Sequence, residues 1–396
     1  MLKIEHIITK VPHIIKYMGS KKPILNFITD AIEEIHEEKN WVCDLFSGSC
    51  SISASLRKRY NFISNDIQDY SRILAHTYFS DLSKYDYDEL HIQIEVSVKN
   101  HYSKFKEKYP DYFYDYSKIN TLEEFSEVES RQRELLRNEI FHIDHHLFTK
   151  YYSGTYWSFE QCVWIDALRK TAETFANSQV YYSFLSSIMY SMSYTTQSTG
   201  HFAQYRDGNT LDAMNNILIY RRKNLYELFT KKFKELLLTL DDSLKELRTS
   251  TLDFEECLKN IPKNSTVYAD PPYAPVHYSR FYHVLETFVK YDYPNIDFKG
   301  RYRDDRHQSP FSKKSDAAEA FKNLFCGIIK KNAQMVLSYS NNGVLEIDYI
   351  IALAKNIFMH NYGIEVQTID HMHSTMGRFE DHERSVVEYL VIAKHI

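Results

Sequence analysis

Cysteine is scarce in this sequence, and the few cysteines are scattered. The 396 residues include five, at Cys43, Cys50, Cys162, Cys257 and Cys326, and no two of them form a CxxC pair. This spacing argues against a zinc cluster and against a disulfide framework. A reducing cytoplasm is therefore the expected location.

Glycine, proline and long apolar runs are also rare. With 10 Gly, 9 Pro, 43% hydrophobic and 26% charged residues, the composition is that of an ordered globular protein and excludes fibrous or disordered classes. No apolar run reaches the roughly 18 residues of a membrane span. The start MLKIEHIITK lacks the apolar core of a signal peptide. We expect a cytoplasmic protein with no membrane segment.

An excess of positive charge is missing as well. The 48 lysines and arginines are outnumbered by 53 acidic residues, which gives a net charge of −5, whereas general polyanion binders tend to be strongly basic. Nucleic-acid binding would have to rely on local patches, for which the candidates are Arg221, Arg222, Lys223, Lys231, Lys232 and Lys234, and the loop with Arg301, Arg303, Arg306 and His307. The first group also fits the solvated face of an amphipathic helix, because Leu225, Leu228 and Phe229 form an apolar stripe.

Strand and helix patterns alternate in the two outer parts of the chain. Short apolar runs predict strands at residues 41–46, 61–65, 265–270, 334–339, 364–370 and 386–393. Amphipathic patterns predict helices at residues 23–38, 281–290, 316–330 and 345–361. Such alternation predicts an α/β fold whose sheet is parallel and of the doubly wound, Rossmann-like type.

The alternation stops between residues 81 and 260. This segment is polar and rich in tyrosine, with helical patterns that include residues 122–138 and 211–247. We predict a mostly helical module, 81–260, inserted into a domain formed by residues 1–80 and 261–396.

A turn of small residues follows the first predicted strand. In Asp44-Leu-Phe-Ser-Gly-Ser-Cys50, the small side chains would let a ligand approach the backbone at a helix N-terminus. Asp66 lies 22 positions after Asp44, at the end of the next strand. An acidic residue at that place commonly accepts hydrogen bonds from the ribose hydroxyls of an adenosine cofactor. The position of Asp66 also suits a helix N-cap.

A second motif, Asp270-Pro-Pro-Tyr273, ends another predicted strand. It would hold a carboxylate, a free backbone carbonyl and an aromatic face at one point. An ordinary proline-rich turn is the alternative. Elsewhere, the group His142, Asp144, His145 and His146 fits no standard zinc spacing, so no metal is expected.

Together these motifs resemble the Dam-like, alpha-group DNA adenine-N6 methyltransferases. The resemblance covers about residues 15–80 and 266–396, and the motifs stand in the order Lys16-Tyr-Met-Gly-Ser-Lys21, Asp44 to Cys50, Asp66, Asp270 to Tyr273, Leu337-Ser-Tyr-Ser340, His373-Ser374, Gly377-Arg378 and Glu388-Tyr-Leu-Val. It implies an S-adenosyl-L-methionine-dependent enzyme that methylates a flipped-out adenine in double-stranded DNA. In that family the module between the two blocks reads the target sequence. The resemblance implies the modification enzyme of a restriction–modification or phage system, and in the former a cognate restriction endonuclease is the expected partner.

The resemblance also implies residue roles. The cofactor-binding positions are Tyr17, Gly19, Ser20, Lys21, Asp44, Phe46, Gly48, Asp66 and Asp270, with Lys21 near the cofactor carboxylate and Asp66 on the ribose. The catalytic group is Asp270, Pro271, Pro272 and Tyr273. Asp270 and the Pro271 carbonyl would accept the hydrogens of the amino group, and Tyr273 would stack on the base.

Two other classes of protein remain open, one because of a departure at Cys50 and the other because related four-residue motifs serve planar amines generally. Cys50 stands where the family usually has the second glycine of the turn, and a positive φ there would strain a cysteine by roughly 1 kcal/mol or more. A non-catalytic DNA-binding regulator with a degenerate cofactor site is therefore one alternative. An RNA or protein-amide methyltransferase is the other, although such relatives usually have Asn at the position of Asp270.

Overall fold

A seven-stranded sheet lies at the centre of the molecule. The computed structural model describes residues 11–197, 201–240, 245–373 and 384–396. The strands are β1 (Trp41–Asp44), β2 (Asn61–Asn65), β3 (Leu247–Ser250), β4 (Thr266–Ala269), a separate ribbon of β5 (Ile296–Asp297) and β6 (Tyr302–Arg303), then β7 (Gln334–Ser340), β8 (Tyr362–His373) and β9 (Arg384–His395). Across the sheet the order is β3-β2-β1-β4-β7-β9-β8, and β9 runs antiparallel to both neighbours while the other pairs are parallel.

Helices fill the connections. They are α1 (Leu25–Ile35), α2 (Ser51–Leu56), α3 (Asp69–Tyr78), α4 (Tyr87–Lys108), α5 (Leu122–Asn138), α6 (Leu147–Tyr152), α7 (Phe159–Ala172), α8 (Val180–Thr195), α9 (Leu211–Arg221), α10 (Leu225–Thr239), α11 (Phe254–Asn260), α12 (Ser279–Lys290), α13 (Ala317–Lys330) and α14 (Ile347–Phe358).

Alternating strand residues distribute the core over both faces of the sheet. On one face, Val42 and Phe62 pack with the buried isoleucines Ile28 and Ile32 of α1. On the other face, the adjacent strand residues pack against α11, α13 and α14 in a second buried cluster. Because successive side chains of a strand point to opposite faces, a continuous apolar run gives a sheet that is covered on both sides.

The helices between α3 and α11 form a further layer whose main core is shared with α3 and α12. Residues of α4, α7, α8 and α10 join α3 and α12 in one large buried cluster. Capping boxes start two of these helices, Thr121 with Glu124 at α5 and Ser158 with Gln161 at α7. Each box satisfies backbone N–H groups that a helix start leaves unpaired.

The predicted α/β class and the six predicted strands are confirmed. The helical pattern predicted for residues 211–247 is confirmed for α9 and α10 and is wrong at its end, where Leu247 begins β3. β3 pairs with β2 at the sheet edge, and α11 packs on the sheet beside α13. β3 and α11, which fall within the predicted insertion of residues 81–260, therefore belong to the sheet layer.

Ser374, Gly377 and Arg378, which belong to the family resemblance, lie outside the described residues, as does the side chain of His373. Within the described residues, none of the helices has the length and apolar character that crossing a membrane requires.

Candidate active site

A deep cavity opens where the strand order reverses. After β1 the chain builds β2 and β3 on one side and then crosses to β4 on the other. The carboxyl ends of β1 and β4 diverge at such a point and leave a crevice, which is where open α/β sheets bind ligands. The cavity here encloses about 1140 Å³ including its open mouth. All twelve predicted site residues line it: Tyr17, Gly19, Ser20, Lys21, Asp44, Phe46, Gly48, Asp66, Asp270, Pro271, Pro272 and Tyr273.

The turn after β1 forms the floor of the cavity and needs a glycine at its centre. Gly48 has φ +47°, and a Cβ at this position would lie 2.5 Å from the Tyr17 hydroxyl oxygen. Phe46, two residues earlier, packs edge-on against Phe311 with ring centroids 5.5 Å apart. Any residue with a Cβ at position 48 would therefore displace Tyr17, which also lines the cavity.

Cys50 has the positive φ angle that would strain a cysteine at this position. Its φ is +58°, at the N-cap of α2, which costs a non-glycine residue roughly 1 kcal/mol. The side chain is fully buried, and its Sγ donates to the Ser71 carbonyl at 3.3 Å. The cysteine therefore packs behind the turn, and the cavity retains its lining residues.

Asp66 holds the turn to the end of β2. Its carboxylate accepts hydrogen bonds from the N–H groups of Gly48 at 2.9 Å and Gln68 at 3.0 Å. Gln68, not Asp66, is the N-cap of α3, so the proposed capping role is wrong. Burial raises the pKa of Asp66 to about 6, while the two N–H groups act in the opposite direction.

Asp270 belongs to a buried group of charges. The Lys21 Nζ lies 3.2 Å from Asp270 Oδ1, 2.5 Å from Glu388 Oε1 and 3.4 Å from the Tyr273 hydroxyl. Burial raises the pKa of Asp270 to about 6, with Lys21 lowering it and Glu388 raising it. Burial alone would lower the pKa of Lys21, but the neighbouring carboxylates raise it above its usual value. Lys21 thus stays charged between two acids.

Negative charge dominates the cavity lining. Among the described residues that line it, the carboxyl groups of Asp44, Asp66, Asp253 and Asp270 face one ammonium group, that of Lys21. Burial, together with the charges of Asp270 and Asp66, raises the pKa of Asp44 to about 8. Asp44 is therefore largely protonated near neutral pH, whereas Asp66 and Asp270, whose pKa values are raised only to about 6, carry negative charge there and favour a ligand with positive charge.

Several lining residues were not singled out from the sequence. Leu252, Asp253 and Phe254 follow β3 and line the cavity together with Asp66. They were missed because β3, with the sequence LRTS, is a polar edge strand without an apolar run. Glu388 was quoted in a motif but given no role. The signal was a carboxylate inside the apolar strand sequence VVEYLVIA.

Each of the two predicted basic patches contains residues that are buried rather than exposed at the surface. Arg221, Lys232, Arg301 and Arg303 are all buried. Arg221 forms a two-pronged ion pair with Glu129, with N–O distances of 3.0 and 2.6 Å. Arg303 binds Asp292 and Asp305 in the same manner. For Arg221 and Lys232, both the DNA-contact and the solvated-helix interpretations are wrong, and for Arg301 and Arg303 the DNA-contact interpretation is wrong.

The histidine and aspartate group that precedes α6 makes contacts within the protein. His145 Nε2 lies 3.1 Å from Glu173 Oε1, Lys170 pairs with Asp144, and His146 Nδ1 contacts the Ile143 carbonyl. Among the described residues, no cluster of three or more His, Cys, Asp or Glu side chains is arranged to hold a metal ion.

The mostly parallel sheet, the reversal of strand order and the cavity at that point define a Rossmann-like fold of the methyltransferase class. The sequence model of the D12 class N6 adenine-specific DNA methyltransferases matches residues 17–337, and the chain belongs to this family. The resemblance drawn from the motifs is thereby confirmed.

Relatives of known type are similar over most of this chain. Modification methylase LlaI from Lactococcus lactis subsp. lactis is 24% identical over 361 residues, which cover 89% of this chain and 50% of the relative. The type II methyltransferase M.FokI from Planomicrobium okeanokoites is 24% identical over 356 residues, covering 86% and 47%. Modification methylase StsI from Streptococcus sanguinis is 22% identical over 347 residues, covering 86% and 46%. The chain thus spans about half the length of these relatives.

Proposed function

We propose that this protein is a site-specific DNA methyltransferase that transfers a methyl group from S-adenosyl-L-methionine to the N6 amino group of a flipped-out adenine in double-stranded DNA. One observation carries the proposal: Asp270-Pro-Pro-Tyr273 and Asp66 line the same cavity at the switch point of the sheet. The family and the relatives named modification methylases support the activity and a restriction–modification setting. A cytoplasmic location and a cognate endonuclease as partner belong to the same proposal.

The residues of the cavity fit the cofactor. S-adenosylmethionine supplies an electrophilic methyl group on a sulfonium and carries an ammonium group, and the carboxyl-rich lining suits these positive charges. The backbone N–H groups of Gly48 and Gln68 fix the orientation of the Asp66 carboxylate at the end of β2. Its remaining acceptor capacity suits the ribose hydroxyls of the cofactor. Ile67 and Phe254 add apolar surface to the same wall. The Lys21 ammonium contacts two protein carboxylates, so we assign it to Asp270 rather than to the cofactor carboxylate.

The Asp270 motif suits a planar amine. The lone pair of an adenine amino group is delocalised into the ring, which makes the nitrogen a poor nucleophile. Accepting its hydrogens at the Asp270 carboxylate and the Pro271 carbonyl favours a more tetrahedral nitrogen, and the carboxylate offsets the positive charge that develops there. Tyr273 lines the cavity, and its ring packs against that of Tyr339, with the ring centroids 5.0 Å apart. This arrangement supports stacking of the flipped base on Tyr273.

We expect Asp66→Ala to weaken S-adenosylmethionine binding by about 1.5–3 kcal/mol, the range for hydrogen bonds to a charged group. Isothermal titration calorimetry measures the affinity. Asp66→Asn is the matched control, because an amide oxygen retains one acceptor for the Gly48 N–H and therefore separates loss of charge from loosening of the turn. Unchanged cofactor affinity in both variants would remove Asp66 from the site.

DNA contacts are expected beside the cavity mouth. Burial, followed by the charges of Arg306, His307, Arg280 and Lys313, lowers the pKa of His277. Arg306, Arg280 and Lys313 therefore lie near His277, and His307, whose own pKa burial lowers, lines the cavity. A cluster of positive charge next to the catalytic motif suits the phosphates that flank a flipped base.

Replacing Arg280 by alanine should weaken DNA binding and reduce the slope of log K against log salt concentration by about 1, the expectation for one lost phosphate contact. Lys355→Ala, an exposed lysine on α14, is the control and should leave the slope unchanged. Fluorescence anisotropy at several salt concentrations measures both. Equal slopes in the two variants would place the DNA elsewhere.

Target recognition is proposed for the helical layer within residues 81–260. Grafting the α4–α10 segment from a relative with another target sequence should change the methylated sequence and leave the chemistry intact, because the cavity residues lie outside this segment. Methylome sequencing provides the readout. An unchanged target would assign recognition to the loop at residues 292–314, which includes the β5–β6 ribbon.

Long-read sequencing of plasmid DNA from cells that express the protein tests the function directly. We expect N6-methyladenine in one sequence context, and its absence in cells that express Asp270→Ala. Two alternatives remain distinguishable by further measurement. A regulator with a degenerate site would fail to bind S-adenosylmethionine in calorimetry, and an RNA or protein-amide methyltransferase would bind it but leave DNA unmodified.

A further inference from the structure

Glu388 is a buried carboxylate in the middle of an apolar strand. It lies in β9 between β7 and β8, opposite Ser340 and Ile369, and its side chain is 0% exposed. Removing a carboxylate from water carries a large desolvation penalty, and an apolar residue of similar volume would often serve a strand at least as well. Stability alone therefore does not explain why an acid occupies this position.

The contacts of Glu388 point toward the catalytic motif. Its Oε1 accepts from the Lys21 Nζ at 2.5 Å and from the Ser338 hydroxyl at 2.5 Å. The same Lys21 Nζ lies 3.2 Å from Asp270 Oδ1. Lys21 is thus shared between a carboxylate inside the sheet and a carboxylate at the cavity, and the inner one makes the shorter contact.

The two acids differ in their access to a ligand. Asp270 lines the cavity and its side chain is 21% exposed, whereas Glu388 is not among the described residues that form the lining. We propose that Glu388 is a positioning residue: it anchors Lys21 and, by drawing part of that positive charge away from Asp270, sets the proton affinity of the catalytic carboxylate. This inference rests on the proposed function, because it gives Asp270 the role of acceptor for the amino group.

Other groups around Asp270 complete its electrostatic setting. Among the described residues, the ionisable groups that face it are Lys21 from the loop before α1, Glu388 from β9 and Asp44 from the end of β1, and the surrounding phenols are Tyr17, Tyr268, Tyr273 and Tyr278. Burial raises the pKa of each of these phenols, so they stay neutral near pH 6. Burial likewise raises the pKa of Asp44, to about 8, so it is protonated near pH 6, and within the described part of the chain the ionic groups that compete for Lys21 are Asp270 and Glu388.

The sign of the effect follows from these charges. Burial raises the pKa of Asp270 to about 6, Lys21 lowers it and Glu388 raises it. Neutralising Glu388 removes a nearby negative charge and leaves Asp270 as the charged partner of Lys21 among the described residues, so the pKa of Asp270 falls. Because the ionised form accepts the amino hydrogens, the methyl-transfer rate rises with pH through this pKa, and its acid limb moves to lower pH.

The test is Glu388→Gln, which keeps an oxygen acceptor for Lys21 and Ser338 but removes the charge. Single-turnover methyl transfer is measured from pH 5 to 8 at saturating DNA and cofactor. In parallel, the pKa of Asp270 is read in the free protein by carboxyl-carbon NMR of aspartate-labelled material, with the signal assigned by its loss in Asp270→Asn. We expect both midpoints to fall by about half a pH unit or more.

The remaining outcomes each decide the matter. Midpoints that stay or rise would overturn the inference, as would a lower plateau rate without a midpoint shift, which is the signature of a merely structural role. If Glu388→Gln fails to fold by circular dichroism, Glu388→Asp decides, because it withdraws the carboxylate by one methylene and should lower the midpoint by less. If the wild-type protein does not methylate adenine, the proposed function fails, while the NMR midpoints still decide the role of Glu388.

Discussion

Arg221→Ala is expected to lower the free energy of unfolding by about 3–5 kcal/mol, the cost of leaving one partner of a buried ion pair alone. Both side chains of the Arg221–Glu129 ion pair are buried: the exposed fractions are 0% for Arg221 and 2% for Glu129. The guanidinium also donates to the carbonyl oxygens of Thr155 and Tyr156 at 2.8 and 3.0 Å. Its removal leaves the Glu129 carboxylate and these carbonyls with fewer donors in a dry environment.

Chemical denaturation measures the loss, with Arg222→Ala as the matched control. Arg222 is the next residue and is exposed, so its replacement should change the free energy of unfolding by less than about 1 kcal/mol. The double variant Glu129→Met, Arg221→Met should recover much of the stability, because it removes both charges at once. A small effect of Arg221→Ala, together with a reduced salt slope of DNA binding, would return this arginine to a DNA surface.

The failure of the basic patches has a simple physical cause. A run such as Arg221-Arg222-Lys223 shows charge along the sequence, but the partner that neutralises Arg221 lies 92 positions earlier, in α5. Arg303 likewise takes its carboxylates from Asp292 and Asp305 of its own loop. Charge clusters in a sequence therefore do not reveal which charges reach the surface until the fold brings their partners together.

The sheet was predictable where burial on both faces demands continuous apolar runs. In β1, Val42 and Cys43 pack into the two clusters on opposite faces of the sheet, and residues 334–340 of β7 are buried throughout. Such strands have a continuous apolar run that is visible in the sequence. β3 escaped prediction because it is an edge strand with partly exposed side chains. The lining residues Asp253 and Phe254 were lost with it, since their place depends on the strand that precedes them.

The site was predictable as a set of residues but not as a network. Asp44, Asp66 and Asp270 each end a strand at the same edge of the sheet, which a reader of parallel strands can infer. The sharing of Lys21 between Asp270 and Glu388 joins a loop near the N-terminus to β9, 367 positions away. No local pattern encodes that pairing, because it arises from the antiparallel insertion of β9 beside β7.

Asp270→Ala is expected to reduce methyl transfer by at least about a hundredfold, by analogy with the loss of one preorganised electrostatic contact. The substitution removes the acceptor that orients the amino group and the charge that balances the developing positive nitrogen, so the loss should appear in the transfer step. Single-turnover transfer of a labelled methyl group at saturating DNA measures it. Asp270→Asn, which keeps an oxygen acceptor without the charge, should lie between the wild type and the alanine variant.

The fold should tolerate this change, which makes the result interpretable. Lys21 keeps its shorter contact to Glu388 when Asp270 is lost, so the buried ammonium stays paired. DNA affinity should survive or even increase, because an anionic group near the phosphates disappears. Asp348→Ala, an exposed carboxylate in the first turn of α14, serves as the control and should retain full activity. A folded Asp270→Ala protein that methylates adenine at a near wild-type rate would refute the mechanism. In this mechanism the charge that balances the developing positive nitrogen comes from Asp270.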